Sequence, residues 1–514
     1  MNKFSSPEKH ARHGTFMRFL VILSSAIGSF LFVVVLSIGA SIYHLRDVVS
    51  GREKLNAPKK ENDVENYTVR QPYPDMKNLK ITNSLRYYAL QLGLDLEEYN
   101  ITTGDGYVLT LHHLIDPKDT PAVRHAKKPV LLQHGLLSCS GAWLAPGQNS
   151  LPFYFMHQGY DVWMGNNRCG FEPRHTYYEG NLMHNEEFWD WDVRALATYD
   201  LPCIIDNVLI HSAHDKLFLV GHLQGCTQTF VMLRNPDFKE HHRKIEHFFA
   251  LAPAVFPGSL FHDRSFIKFI HHRSPKAYHA FFGSCCFIRI LGFFRKWIGK
   301  TKMFSVLSYQ LFKYLFGWNI NNCHPDKKVL HIQFLFNVTY ISSRLMSWWL
   351  SYSVKEGFSN QLQPKSAYKD GSNFAFTPVP TKEETSVTGE ETPQASPNAE
   401  KLSELLPEMD ADALDVPLPI DDSETFFPYK QEWFNFNKQE EIVPMIIFPC
   451  GEDYLVDGQR LATHMRHYER RFYKEGVNLD VVDLPDYNHL DVIWSLNTIG
   501  KIGMVIHDKI QSLN

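Results

Sequence analysis

The chain of 514 residues is 44% hydrophobic, 14% aromatic and 21% charged, a globular composition that excludes a wholly disordered protein. Eight cysteines exclude a small disulfide scaffold, and no CxxC or zinc-type Cys/His spacing is present, so neither a structural metal nor a cofactor is expected. The net charge of −4 from 52 Lys+Arg and 56 Asp+Glu predicts no nucleic-acid partner, but it averages two opposed segments. Residues 361–424 carry fourteen acids and four lysines, and residues 256–350 carry thirteen Lys and Arg against Asp263 and Asp326.

A basic tail (1–18) leads into Phe19–Tyr43, 25 residues without a charge. At 1.5 Å per residue this exceeds a hydrocarbon core of ~30 Å. It is longer than a signal-peptide core and lacks a small-residue cleavage site. The expectation is a single-pass transmembrane anchor, with a signal peptide as the plainer alternative. Lys3, Lys9, Arg12 and Arg18 precede the span and Arg46, Arg52, Lys54, Lys59 and Lys60 follow it, so charge asymmetry sets no orientation and no organelle. Residues 44–82 read as a linker.

From residue 83 the chain alternates apolar runs with helical stretches. Strands are expected at Tyr107–Leu114, Val130–Gln133, Leu217–Val220, His247–Leu251 and Met445–Phe448, which suggests βαβ units and a mostly parallel sheet. Residues 83–255 and 425–514 form the two halves of this core. Residues 256–360 form a helical cap, and 361–424, rich in Glu, Asp, Pro, Ser and Thr, an acidic disordered insertion.

Leu217–Cys226 reads LFLVGHLQGC: an apolar strand, then Gly221-x-x-x-Gly225, then a helical stretch. This is the layout of a nucleophile elbow, Gly-x-Ser-x-Gly, with Leu223 in place of serine. Cys226 reads as a buried small residue, not a substitute nucleophile. After the Val130–Gln133 strand comes His134-Gly135-Leu136, where one oxyanion amide belongs. The amides of Leu136 and Gln224 are the expected pair. Asp453, in a turn after MIIF, and His489, in DYNHLD, complete the order nucleophile, acid, histidine; Asp457 competes with Asp453 for the acid. A histidine base, an acid that fixes its tautomer and two amides for the oxyanion are what acyl transfer requires.

These motifs, with TTGDGYVLTL (102–111), LQHGLLS (132–138), GYDVWMGNNRCG (159–170), FWDWD (188–192), YDLP (199–202) and LAPAVFPG (251–258), resemble the acid-lipase group of α/β-hydrolases, and most closely the fungal membrane-anchored steryl ester hydrolases. The resemblance covers about residues 85–354 and 444–514. It implies an α/β-hydrolase fold with a helical cap, carboxylic ester hydrolysis, and steryl or other neutral-lipid esters at a membrane or lipid-droplet surface. It also implies that the family nucleophile falls on Leu223. A pseudoenzyme that binds lipid, a gene that encodes serine at 223 (some yeasts decode CUG as serine), and a water activated by His489 are the three readings of that substitution.

The cap interleaves aromatics with Lys and Arg, as in AFFGSCCFIRILGFFRKWIGK (280–300), a pattern suited to an anionic lipid surface. The acidic insertion is expected to compete for that basic surface.

Overall fold

The computed structural model describes residues 14–55, 58, 71–260, 265–271, 274–350, 433–434, 436–467 and 469–513. The acidic insertion lies outside them. Eight strands form one sheet: β1 Asp95–Thr102, β2 Val108–Ile115, β3 Pro129–Gln133, β4 Asp161–Gly165, β5 Leu217–His222, β6 Ile245–Leu251, β7 Met445–Phe448 and β8 Leu479–Val481. Their order is β1-β2-β4-β3-β5-β6-β7-β8. The β1–β2 and β2–β4 pairs are antiparallel and every later pair is parallel.

The parallel strands are continuous apolar runs because both faces are covered. Leu131, Leu219, Phe248 and Ile447 join one hydrophobic cluster. Their chain neighbours Val130, Val220, Phe249 and Phe448 join another on the opposite face. The alternation is the pleat of a strand buried on both sides.

The helices that matter below are α1 Thr15–Val49, α2 Gln224–Arg234, α3 Pro275–Phe282, α4 Arg289–Ile298, α5 Lys302–Phe316, α6 Lys327–Leu335, α7 Ser343–Leu350 and α8 Gly458–His467. α1 is the one helix among the described residues long and apolar enough to cross a membrane. Helices α3 to α7 lie between β6 and β7 in sequence. Cys285 and Cys286, in the turn between α3 and α4, are buried, and burial pushes both thiols well above their ordinary range. Asn337 is also buried and donates to the Gln333 carbonyl at 2.7 Å.

Glu469, which follows α8, is 1% exposed and accepts hydrogen bonds from the amides of Trp433 and Phe434, tying the chain after the insertion to the core. Burial pushes its carboxyl up to about 8, against the pull of those amides, from an ordinary 4.5. The folded chain thus holds this proton more tightly than the unfolded chain. The stabilisation it gives is complete below about 4.5 and is lost as pH rises through about 8. Melting temperature should fall across that window, and Glu469→Gln should flatten the decline; an unchanged pH slope in the variant would refute the assignment.

Candidate active site

The sheet delivers β5 to the centre of the fold, and its C-terminal end turns sharply into α2. At the turn Leu223 has φ 50° and ψ −112°, a left-handed backbone that costs a leucine about 1–3 kcal/mol. The surroundings over-determine it. The Leu223 amide donates to the Leu251 carbonyl at 3.3 Å, and its own carbonyl accepts from Cys226 and Thr227 at 3.1 and 3.3 Å. Of the flanking glycines, Gly225 is sterically required and Gly221 is tightly packed. A Cβ on Gly225 would stand 2.4 Å from the Gln133 carbonyl oxygen, and one on Gly221 3.1 Å from the Cys226 amide. Cys226 is fully buried, its thiol pushed well above 9 by burial and directed at the Leu251 carbonyl. It is not poised as a nucleophile.

The turn after β3 lies against the elbow: a Cβ on Gly135 would meet that of Leu223 at 2.9 Å. His134 braces this turn. Its Nδ1–H donates to the Gly135 carbonyl at 2.7 Å, and its Nε2 accepts from the Asn167 amide at 3.1 Å. Burial lowers its pKa to about 4, so the ring is neutral and its tautomer fixed. Asn167 in turn accepts from Gln133 at 2.9 Å and Gln228 at 3.2 Å. One amide side chain thereby joins β3, the loop after β4, and α2. Asn167 lies in the GYDVWMGNNRCG motif, but its place behind the turn is legible only in three dimensions.

Asp453 and His489 meet beside this turn. His489 Nδ1 donates to Asp453 Oδ2 at 2.7 Å, and Asp453 Oδ1 accepts from the amides of Leu455 and Val456 at 2.9 and 3.1 Å. Every oxygen of that buried carboxylate is therefore engaged. Asp457 has a different task, accepting from the Arg460 amide at 2.9 Å in the first turn of α8. His222, one residue before the elbow centre, donates through Nε2 to the His489 carbonyl at 3.3 Å, with the two rings 5.1 Å apart. Burial, and then the neighbouring His489, holds His222 well below 6.5. His489 Nε2 is buried and without a hydrogen-bond partner among the described residues.

The cap closes over the site. The Thr339 amide donates to the Leu137 carbonyl at 3.1 Å and that of Tyr340 to Gly170 at 2.7 Å. From α7, Trp349 Nε1 donates to Gln224 Oε1 at 3.0 Å. The cavity that remains, lined by His134, Gly135, Asn167, Arg168, Trp191 and Gln224 among others, has a volume of only about 10 Å³. That is below the ~300–1,000 Å³ of pockets for drug-sized ligands. Among the described residues no cluster of three or more His, Cys, Asp or Glu is arranged to hold a metal ion.

A Gly-flanked strand–turn–helix at the centre of a mostly parallel sheet, with an acid and a histidine from later loops converging on it, is the organisation of an α/β-hydrolase. A family model described as a partial alpha/beta-hydrolase lipase region matches residues 85–147. Sterol esterase 2 of Saccharomyces cerevisiae is 32% identical over 447 residues, 85% of this chain and 74% of the relative. Lipase member K of Homo sapiens is 34% identical over 183 residues, 35% of this chain and 43% of its own. Among solved structures, a bacterial membrane phospholipase A aligns with a TM-score of 0.38 at 12% identity, covering 83% of this chain and 89% of that one. The chain belongs to the acid-lipase group of α/β-hydrolases.

Proposed function

We propose that the protein is a hydrolase of steryl or other neutral-lipid esters, attached to a membrane or lipid-droplet surface through α1, and that its functional form carries serine at position 223. The buried His489 Nε2, without a hydrogen-bond partner among the described residues and set beside a residue held at positive φ, carries this reading. With leucine the chain bears both the backbone strain, about 1–3 kcal/mol, and an unmade hydrogen bond of a buried polar atom, about 1–3 kcal/mol. A serine hydroxyl offsets the second and gives the first a purpose. The names of the relatives, sterol esterase and lipase, support the substrate class.

In the proposed reaction His489 Nε2 takes the proton as the hydroxyl oxygen at 223 bonds to the ester carbonyl carbon. Asp453 fixes the Nδ1–H tautomer and stabilises the imidazolium, and the amides of Leu136 and Gln224 receive the carbonyl oxygen as it becomes anionic. The C–O bond to the alcohol then breaks, and His489 returns the proton to the departing alcohol. Water repeats the sequence to release the fatty acid and regenerate the hydroxyl. Reading codon 223 in the gene, together with the mass of the peptide spanning 217–234 from native protein, tests the assignment. An ordinary leucine codon with a leucine mass overturns it.

A second reading is favoured by one contact. The Leu223 side chain packs on the hydrophobic cluster beneath the cap, with its Cδ2 3.0 Å from where a Cβ on Gly135 would stand. A chain with leucine there is a lipid-binding pseudoenzyme, holding esters without cleaving them.

A further inference from the structure

α1 is docked lengthwise on the cap instead of projecting from it. At its start Arg18 Nε lies 3.7 Å from the Glu186 carboxylate. Midway, Ser29 Oγ donates to the Phe281 carbonyl at 2.9 Å, and Phe32 packs edge-on against Phe282 with centroids 5.1 Å apart. Farther along, Ser41 Oγ donates to Gln310 Oε1 at 3.1 Å. At its end Lys313 Nζ, on α5, lies 2.6 Å from Asp47 and also binds Glu53, and the Lys313 and Asp47 side chains are 4% and 6% exposed. The docked side thus carries serines and an aspartate, each met by a group on the cap. The other side is apolar: Leu23, Ile27, Leu31, Val35, Ile38 and Ile42 recur three or four residues apart and are all exposed, the spacing of one helical face.

The two polar ends decide how such a helix meets a lipid surface. Arg18 and Asp47 are separated by about 43 Å of helix at 1.5 Å per residue, more than the ~30 Å hydrocarbon core. Both ends are nonetheless held by groups of one folded body. Crossing a bilayer would send Glu186 and the Asp47–Lys313–Glu53 cluster to opposite sides, or draw charges of the folded body into hydrocarbon, where they are costly. Lying in the plane of one leaflet avoids both. It also accounts for the basic residues on both flanks, Arg18 before and Arg46, Arg52 and Lys54 after. No spanning orientation suits that distribution, whereas two ends at a single anionic surface do.

We propose that α1 is an in-plane anchor, its apolar face set among the acyl chains of a single leaflet, the cap on its back, and both ends in the same aqueous compartment. The proposal rests on the membrane-attachment reading above. Its test uses the full chain with an epitope tag at each terminus, in sealed membrane vesicles. Flotation with the vesicles reads attachment, and protease digestion with and without detergent reads topology. The expected result is a floating chain whose two tags share one fate, both digested or both protected until detergent is added. Opposite fates of the tags overturn the in-plane helix while leaving attachment intact. A mature chain that has lost its N-terminal tag overturns it as well, since α1 is then a removed signal. A chain that does not float overturns the membrane reading itself.

Discussion

Leu223→Ser should raise ester hydrolysis by about 10³-fold or more over the leucine form, because removing a triad nucleophile costs at least this much in enzymes that use one. The backbone needs no change. Leu223 already has the φ of 50° that presents a side chain from the turn, and the bonds from Cys226 and Thr227 to its carbonyl do not depend on the side chain. The hydroxyl would gain His489 Nε2, which has no hydrogen-bond partner among the described residues. It would lose the packing of a partly buried leucine, so folding stability should shift by no more than about 1–2 kcal/mol. In the Leu223→Ser background, His489→Ala should return the rate to background. Asp453→Asn should lose most of the gain, because the neutral amide selects the wrong imidazole tautomer. The assay is release of fatty acid from a steryl ester in mixed micelles, with binding of the uncleaved ester measured in parallel. A folded Leu223→Ser variant that stays inert would show that more than the nucleophile has gone, and the pseudoenzyme reading would then stand.

Several parallel strands were legible because burial on both faces favours unbroken apolar runs: VLL, LFLV and MIIF announce themselves. β1 was not. Its sequence DLEEYNIT has three acids and an exposure that alternates along the strand. It is an edge strand held by its pairing with β2, a tertiary fact without a local apolar signal. β4, DVWMG, carries a weaker signal, since it opens on an aspartate and closes on a glycine instead of running apolar throughout. At the site, chain order alone suggested Leu223, Asp453 and His489, which the fold brings together. It favoured Asp453 over Asp457 for the acid, and in the fold the Asp453 carboxylate faces His489 while that of Asp457 accepts from a helix-start amide. The contacts of α1 were illegible for a different reason. Its hydropathy reports that one side seeks lipid, and says nothing of the serines and Asp47 that the cap engages on the other.

Arg168→Met should cost about 3–5 kcal/mol of folding stability, the toll of removing one partner from a buried ion pair, and a large share of a domain's total. Arg168 sits in the NNR segment after β4, with a side chain 1% exposed against an Asp200 that is 0% exposed. Its guanidinium donates to Asp200 from Nε and Nη2 at 2.9 and 2.7 Å and to Asp105 from Nη1 and Nη2 at 2.8 and 3.1 Å, and it lies 3.9 Å from the Tyr107 ring centroid. Methionine replaces the volume and none of this. Asp200 would keep only the amide of residue 168, at 2.8 Å, for a charge fully out of water. The loss should reach the site, because the neighbouring Asn167 amide is what holds His134 behind the turn at Gly135. In the Leu223→Ser background, Arg168→Met should therefore depress the rate beyond its effect on the folded fraction. Arg168→Lys keeps the charge but not the fork and should fall between. Arg168→Met with Asp200→Asn should recover much of the stability, since no unpaired charge is left buried. Denaturant titrations of the four chains measure this directly: an Arg168→Met variant within about 1 kcal/mol of its parent, or a double variant no better than the single, would mean that the cation is not what holds Asp200 in place.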